Sequence, residues 1–274
     1  MGKKMNEIKQ YYGQEIQSAY SRWAQWTNGC PALEKMFTVE QFRWESRRFE
    51  VGHREPSRRR VVFVNGIVTS FDESVSHAKH LSEQAKGVQV QGVWNATHGF
   101  LDDLRESKLN LDRYATPPVR LIHEVFNEFF ERNYFGELLL FGHSQGAIHC
   151  RNALESYPYR DRLRRISFVG IAPAAYTNIA ICKKVDHYVS PVDLVPTIDD
   201  RGRKMAQQQD SYHEVYADPN LPKAPLGMLR KWLGETFGQL TSRMRASFEE
   251  HGFQHSIYRQ ALADHLDQFL EGPK

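Results

Sequence analysis

The chain is short of cysteine, of net charge and of long apolar runs, and each shortage closes off a class of protein. Among 274 residues the only cysteines are Cys30, Cys150 and Cys182. Three thiols cannot all pair and none has Cys-x-x-Cys spacing, so the sequence reads as neither a disulfide scaffold nor a redox motif. Lysine and arginine number 36 against 33 aspartates and glutamates. A surplus of +3 gives no general electrostatic case for nucleic acid, and none is expected as a partner. No stretch approaches the roughly 18 consecutive apolar residues of a membrane span. "MGKKMNEIKQYYG" has lysines but no apolar segment behind them, and Asn6 stands where a myristoylation signal wants Ser or Thr. The expectation is a soluble, cytoplasmic protein. Transient membrane-surface contact, or export as an effector without a cleaved signal, is compatible with the same residues. Nucleotide cofactors are not expected, since no Gly-x-Gly-x-x-Gly or phosphate-binding loop occurs. His77 with His80, and His98 with Asp102 and Asp103, lack further ligands at metal spacing, so no metal is expected either.

What remains is an ordinary globular composition, 41% hydrophobic and 25% charged, on a chain long enough for one substantial core. Residues 6–27 place Ile8, Tyr12, Ile16, Ala19, Tyr20 and Trp23 at helical steps, an amphipathic helix expected to pack on the body. Residues 42–51 alternate as a strand that begins or flanks a sheet. From residue 61 strands and helices take turns. Strands are expected at 61–67, 88–94, 137–141, 165–171 and 184–190, with a sixth at 212–217. Helices are expected at 72–86, with Asp72 as cap, from Thr116-Pro117 onward, and at 144–156. Several strands are continuously apolar, which implies an α/β fold with a mostly parallel central sheet and helices on both faces. Residues 1–58 form the leading helix and strand and 59–274 the main domain. Within it, 218–250 is the least strand-like stretch and is expected to be a helical cap.

Active sites of such sheets lie beyond the carboxyl ends of the strands. Beyond the third strand of the regular pattern stands "GHSQG", with Ser144 at its centre. An apolar strand before it and a helix after it are the context in which Gly-x-Ser-x-Gly forms a tight turn that exposes the serine hydroxyl. Outside that context the same letters describe an idle serine in a glycine-rich loop. The turn also aims the Gln145 N–H at a developing oxyanion. A second N–H is expected after the first parallel strand, where "VFVNGI" makes Ile67 the candidate.

A serine hydroxyl needs a base, and the base a carboxylate to orient it, here in the chain order serine, acid, histidine. Asp193 in "SPVDLVP" follows a strand and is the candidate acid, with turn capping as its competing role. Asp199 and Asp200 lie farther from that strand, and Asp186 falls inside it. For the base, "EEHGFQHSIYRQAL" offers His251 and His255; loop geometry favours His251, because His255 abuts the final helix. "VVFVNGI", "GHSQGA", "SPVDLVP" and "EHGF" together resemble the α/β-hydrolase superfamily, and its lipase and esterase members in particular. More faintly, "VNGI", "WNATHGFLDDL", "GHSQG" and "HGFQHSIY" are similar to hydrolase-like proteins of chlamydiae and other host-associated bacteria. The resemblance implies a serine hydrolase of a small-molecule or lipid ester, with no cofactor. An acyltransferase or thioesterase on the same fold, or an inactive module that only binds, would carry the same pattern. Two departures stand out: Asn65 replaces the usual His before the oxyanion-loop glycine, and 218–250 lengthens the path to the histidine.

Overall fold

In successive residues of the central strands, side chains point to opposite faces, and here both faces are buried. Val62, Val64, Leu138 and Leu140 enter one hydrophobic cluster, whereas Val61, Phe63, Leu139 and Phe141 enter another. A strand buried on both sides must be covered by helices on both sides. The computed structural model describes residues 46–54, 58–67, 69–96, 116–193, 195–216 and 250–271, and in it helices pack on both faces of the sheet.

The strands are β1 (Arg47–Val51), β2 (Arg59–Val64), β3 (Val90–Trp94), β4 (Glu137–His143), β5 (Ile166–Ile171), β6 (Lys184–Val189) and β7 (Tyr212–Glu214). They form one sheet in the order β1-β3-β2-β4-β5-β6-β7, antiparallel only where β1 meets β3. The helices α1 (Phe71–Gln84), α2 (Pro117–Arg132), α3 (Gln145–Ser156), α4 (Arg160–Leu163), α5 (Asp200–Gln208) and α6 (Ser256–Glu271) connect or follow them. Val119, Ile122, Phe126 and Phe129 of α2 join Ala147, Cys150 and Leu154 of α3 against one face of the sheet. Ala78 and Leu81 of α1 join Tyr258, Leu262 and Leu266 of α6 against the other.

Strand order with these helices makes this the α/β-hydrolase fold. After β2 the chain moves outward to β3, then crosses back to add β4 on the other side of β2. The switch point therefore lies between β2 and β4, where the loops leaving the two strands diverge and open a crevice. One local expectation is corrected. Helix α1 starts at Phe71, and its cap is Ser70 rather than Asp72: Ser70 Oγ accepts from Glu73 N while the Glu73 carboxylate accepts from Ser70 N. Reciprocal capping satisfies two end donors, which a cap at Asp72 would not. The helix expected at 6–27 lies outside the described residues, as does the cap expected at 218–250 apart from its last residue, Glu250.

Candidate active site

Strand β4 ends at His143 and α3 begins at Gln145, so Ser144 alone makes the turn. It does so at φ 55°, ψ −123°, a combination that costs a non-glycine residue about 1–3 kcal/mol and persists only where the surroundings fix it. They do so through the backbone. Ser144 N donates to Ile171 O at 3.1 Å, and Ser144 O accepts from Ala147 N at 3.0 Å and Ala174 N at 3.1 Å. The flanking glycines permit the close approach this needs. A Cβ on Gly146 would lie 2.3 Å from Val64 O and 2.7 Å from Asn65 O. The Ser144 turn is thus pressed against the end of β2.

The same pressure brings the loop after β2 onto the serine. A Cβ on Gly66 would lie 2.6 Å from Ser144 Cβ and 3.2 Å from its Oγ. Ile67 follows directly. Asn65, fully buried, holds this loop in shape. Its Nδ2 donates to Gly66 O at 2.8 Å and Asn95 O at 3.1 Å, and its Oδ1 accepts from Asn95 N at 2.8 Å and Ser74 Oγ at 3.2 Å. Asn95 Nδ2 in turn donates to Gln145 Oε1 at 2.6 Å. Both segments that carry the candidate oxyanion donors are therefore cross-linked by one buried amide network. Asparagine suits this position because it offers donor and acceptor together at a site where every polar atom must be paired.

Asp193 lies in the turn after β6, with its side chain wholly buried. Its Oδ1 accepts from Val195 N at 2.9 Å, and its Oδ2 from His251 Nδ1 at 2.6 Å. A carboxylate only accepts, so Nδ1 carries the proton and Nε2 keeps its lone pair. Among the described residues His255 reaches no carboxylate; its Nδ1 accepts from Ile257 N at 3.5 Å and its N donates to Gly252 O. Asp186 and Asp199 are engaged elsewhere. Asp186 pairs with His213 at 2.8 Å, while Asp199 caps α5 and faces Arg151 at 3.5 Å.

The segment bearing His251 is held from three sides. His143 Nε2–H donates to the His251 carbonyl at 2.7 Å, and the two rings stack loosely with centroids 5.0 Å apart. Glu250 and Ser190 are hydrogen-bonded, which ties the histidine segment to the Asp193 turn. Phe253 is buried against Phe63 at 4.8 Å and His77 at 5.4 Å. Burial, with the neighbouring His251, holds the His143 pKa well below the usual imidazole range; burial also lowers His77 to about 4. Both rings are neutral structural groups at ordinary pH. Ser144 Oγ makes no hydrogen bond among the described residues. It adjoins His143, which contacts His251, so the structure gathers Ser144, His251, Asp193 and the Ile67 and Gln145 segments at one end of the sheet. The sequence gives no role to His143, Asn95, Glu250 or Phe253, although His143 is signalled by its place inside "GHSQG" and Asn95 by its place directly after a strand end.

Among the described residues no set of three His, Cys, Asp or Glu converges as a metal site, and no helix is long and apolar enough to cross a membrane.

A family model described as "Protein of unknown function (DUF687)" matches residues 51–209, which include Ser144 and Asp193 but not His251. No curated protein matches the chain. Similar solved structures include esterase PE8, 11% identical, covering 69% of this chain and 97% of its own, with a TM-score of 0.40. Another is LpqC, a poly(3-hydroxybutyrate) depolymerase from Bordetella parapertussis, 13% identical over 86% and 88% of the two chains, TM-score 0.39. A third is a cutinase-like protein from Cryptococcus sp., 11% identical over 71% and 96%, TM-score 0.37.

Proposed function

The chain belongs to the DUF687 family, and we propose that it is a serine hydrolase that cleaves a carboxylic ester of a small molecule or lipid. Ser144 Oγ attacks the ester carbonyl carbon while its proton passes to His251 Nε2. Asp193 accepts the Nδ1 hydrogen bond, fixes the imidazole tautomer and stabilises the imidazolium. The carbonyl oxygen becomes an oxyanion facing the N–H groups of Ile67 and Gln145. As the tetrahedral intermediate collapses, His251 gives its proton to the leaving alkoxide and an acyl-serine remains. Water, deprotonated by His251, attacks this acyl group; collapse releases the carboxylic acid and returns the proton to Ser144.

The observation that carries the reading is the backbone of Ser144. A serine that merely filled a glycine-rich turn would have no need of φ 55°, ψ −123°, and any glycine could replace it at lower cost. The Asp193–His251 hydrogen bond at 2.6 Å, in a segment pinned to the residue before Ser144, adds the base and its orienter.

A fluorophosphonate probe tests the proposal directly. Wild type should label and Ser144→Ala should not. His251→Ala should label far more slowly, whereas His255→Ala should keep most of the wild-type rate. On an ester substrate, Asp193→Asn should lower kcat roughly 10⁴-fold by leaving the wrong imidazole tautomer. An unlabelled wild type, or undiminished labelling of Ser144→Ala, sinks the reading.

A further inference from the structure

The amino-terminal ends of the strands, remote from Ser144, carry a surface that ester hydrolysis does not use. The turn between α2 and β4 presents Tyr134 and Phe135, which are 61% and 77% exposed. Their rings meet edge to face with centroids 5.0 Å apart. Large rings at a turn tip contribute little to folding, because most of their area stays in water.

From this tip the surface continues as a ladder of rings and guanidinium groups. Arg165 lies 5.1 Å from the Tyr134 ring and 5.3 Å from that of buried Phe130. Arg162 lies 5.9 Å from Phe130 on its other flank and 4.3 Å from Tyr159, which is 48% exposed. Arg58, Arg132, Arg160 and Arg164 stand beside the ladder, exposed and in no salt bridge among the described residues. Backbone bonds from Glu137 N to Arg58 O and from Leu138 N to Arg165 O fix these segments at one end of the sheet. Of the flanking carboxylates, Glu137 is paired with Lys183 and Asp161 with Arg165, and exposed Glu131 is set against Arg58, Arg132, Arg160, Arg162 and Arg164, so the balance is positive.

We propose that this surface docks the protein on an anionic lipid membrane. Amphipathic rings at an apolar tip suit the headgroup level of a bilayer, and surrounding arginines meet its negative charge. Single-stranded nucleic acid fits less well. Base stacking needs free ring faces, and here Arg165 covers a face of Tyr134 and Arg162 a face of Tyr159. Docking in this way turns the carboxyl ends of the strands toward water. The site would then stand about 23 Å from the contact, the length of the seven-residue β4. Substrate therefore reaches it from the aqueous side rather than from the bilayer beneath.

Co-sedimentation with vesicles tests this without requiring an active enzyme, and Ser144→Ala should bind as wild type does. Binding is expected to phosphatidylcholine vesicles containing about one-third phosphatidylserine, to weaken with salt, and to be marginal on phosphatidylcholine alone. Arg160→Glu with Arg164→Glu should reduce partitioning roughly thirtyfold or more. Tyr134→Ser with Phe135→Ser should reduce it at least tenfold while leaving the melting temperature unchanged. Binding that ignores phosphatidylserine, or that survives both double variants, overturns the proposal. So does a self-association abolished by Phe135→Ser, or retention by these residues on an RNA homopolymer in place of vesicles.

Discussion

His143 occupies the position before Ser144, yet its surroundings point to a positioning part rather than to proton transfer. It is buried and kept neutral, and its Nε2–H is committed to the His251 carbonyl. Its part in the proposed reaction is to position the base. His143→Leu removes the donor, whereas His143→Gln keeps an N–H at a similar reach. The leucine variant should lose one to two orders of magnitude in kcat with little change in KM, roughly the cost of a displaced catalytic group. The glutamine variant should recover most of that loss. Equal damage from both, or a change confined to KM, would show that the ring matters only as packing. At this scale the sequence was legible where a residue's role depends on neighbours in the chain. Ser144 lies in a local motif, and Asp193 follows a strand end. His143 depends on a partner 108 residues away, and no spacing rule reaches that far.

The Ser144 turn holds its shape because α3 lies almost in contact with the end of β2. Gly146 is where that contact is made, and the atoms a Cβ would strike are backbone carbonyls, which cannot swing aside. Gly146→Ala should push the helix from the sheet at a cost of about 1–3 kcal/mol or more. In a domain of this size that corresponds to a fall in Tm of roughly 3–10 °C, with activity falling further as the Ile67 segment shifts. Thermal unfolding of the variant checks this; a Tm within about a degree of wild type would contradict the close approach. The alternation of strand and helix was legible from apolar runs, since parallel strands buried on both faces leave that signature. Helix ends were less so. Asp72 and Ser70 are both capping residue types, and the choice fell to Ser70 because Glu73 could answer it.

Across the whole molecule, burial of neutral histidines sets the response to acid. His149 and His187 are fully buried and both are held down to about 4 from an ordinary value near 6.5, by desolvation. His265 of α6 is likewise lowered to about 4 by burial. In the unfolded chain each takes up its proton as pH falls through 6.5; in the folded chain each resists until about 4. Stability is therefore full above that window, declines as pH falls within it, and declines no further from this source below it. Each group can contribute up to about 3 kcal/mol of loss, against a total of about 5–15 kcal/mol for a typical domain. Circular dichroism between neutral pH and the lower end of the window should show cooperative acid unfolding inside it. A stability that stays level down to pH values near 4 would refute this.

The sequence by itself determined the fold class and the alternation of its main strands and helices, and it named candidates for the chemistry. Those depend on periodicity, strand ends and a five-residue turn, all written in local order. It left His251 and His255 separated only by an argument about loop length. Tertiary structure decided between them as partners of Asp193, because which imidazole meets the carboxylate depends on how Phe253, Glu250 and His143 anchor a segment to strands far away in the chain. It also decided why Asn65 stands before Gly66 in the loop after β2. A single buried amide closes bonds to Asn95 just past β3, to α1 and to its own loop, and Gln145 is joined to it through Asn95. Such a requirement exists only once those elements are packed together.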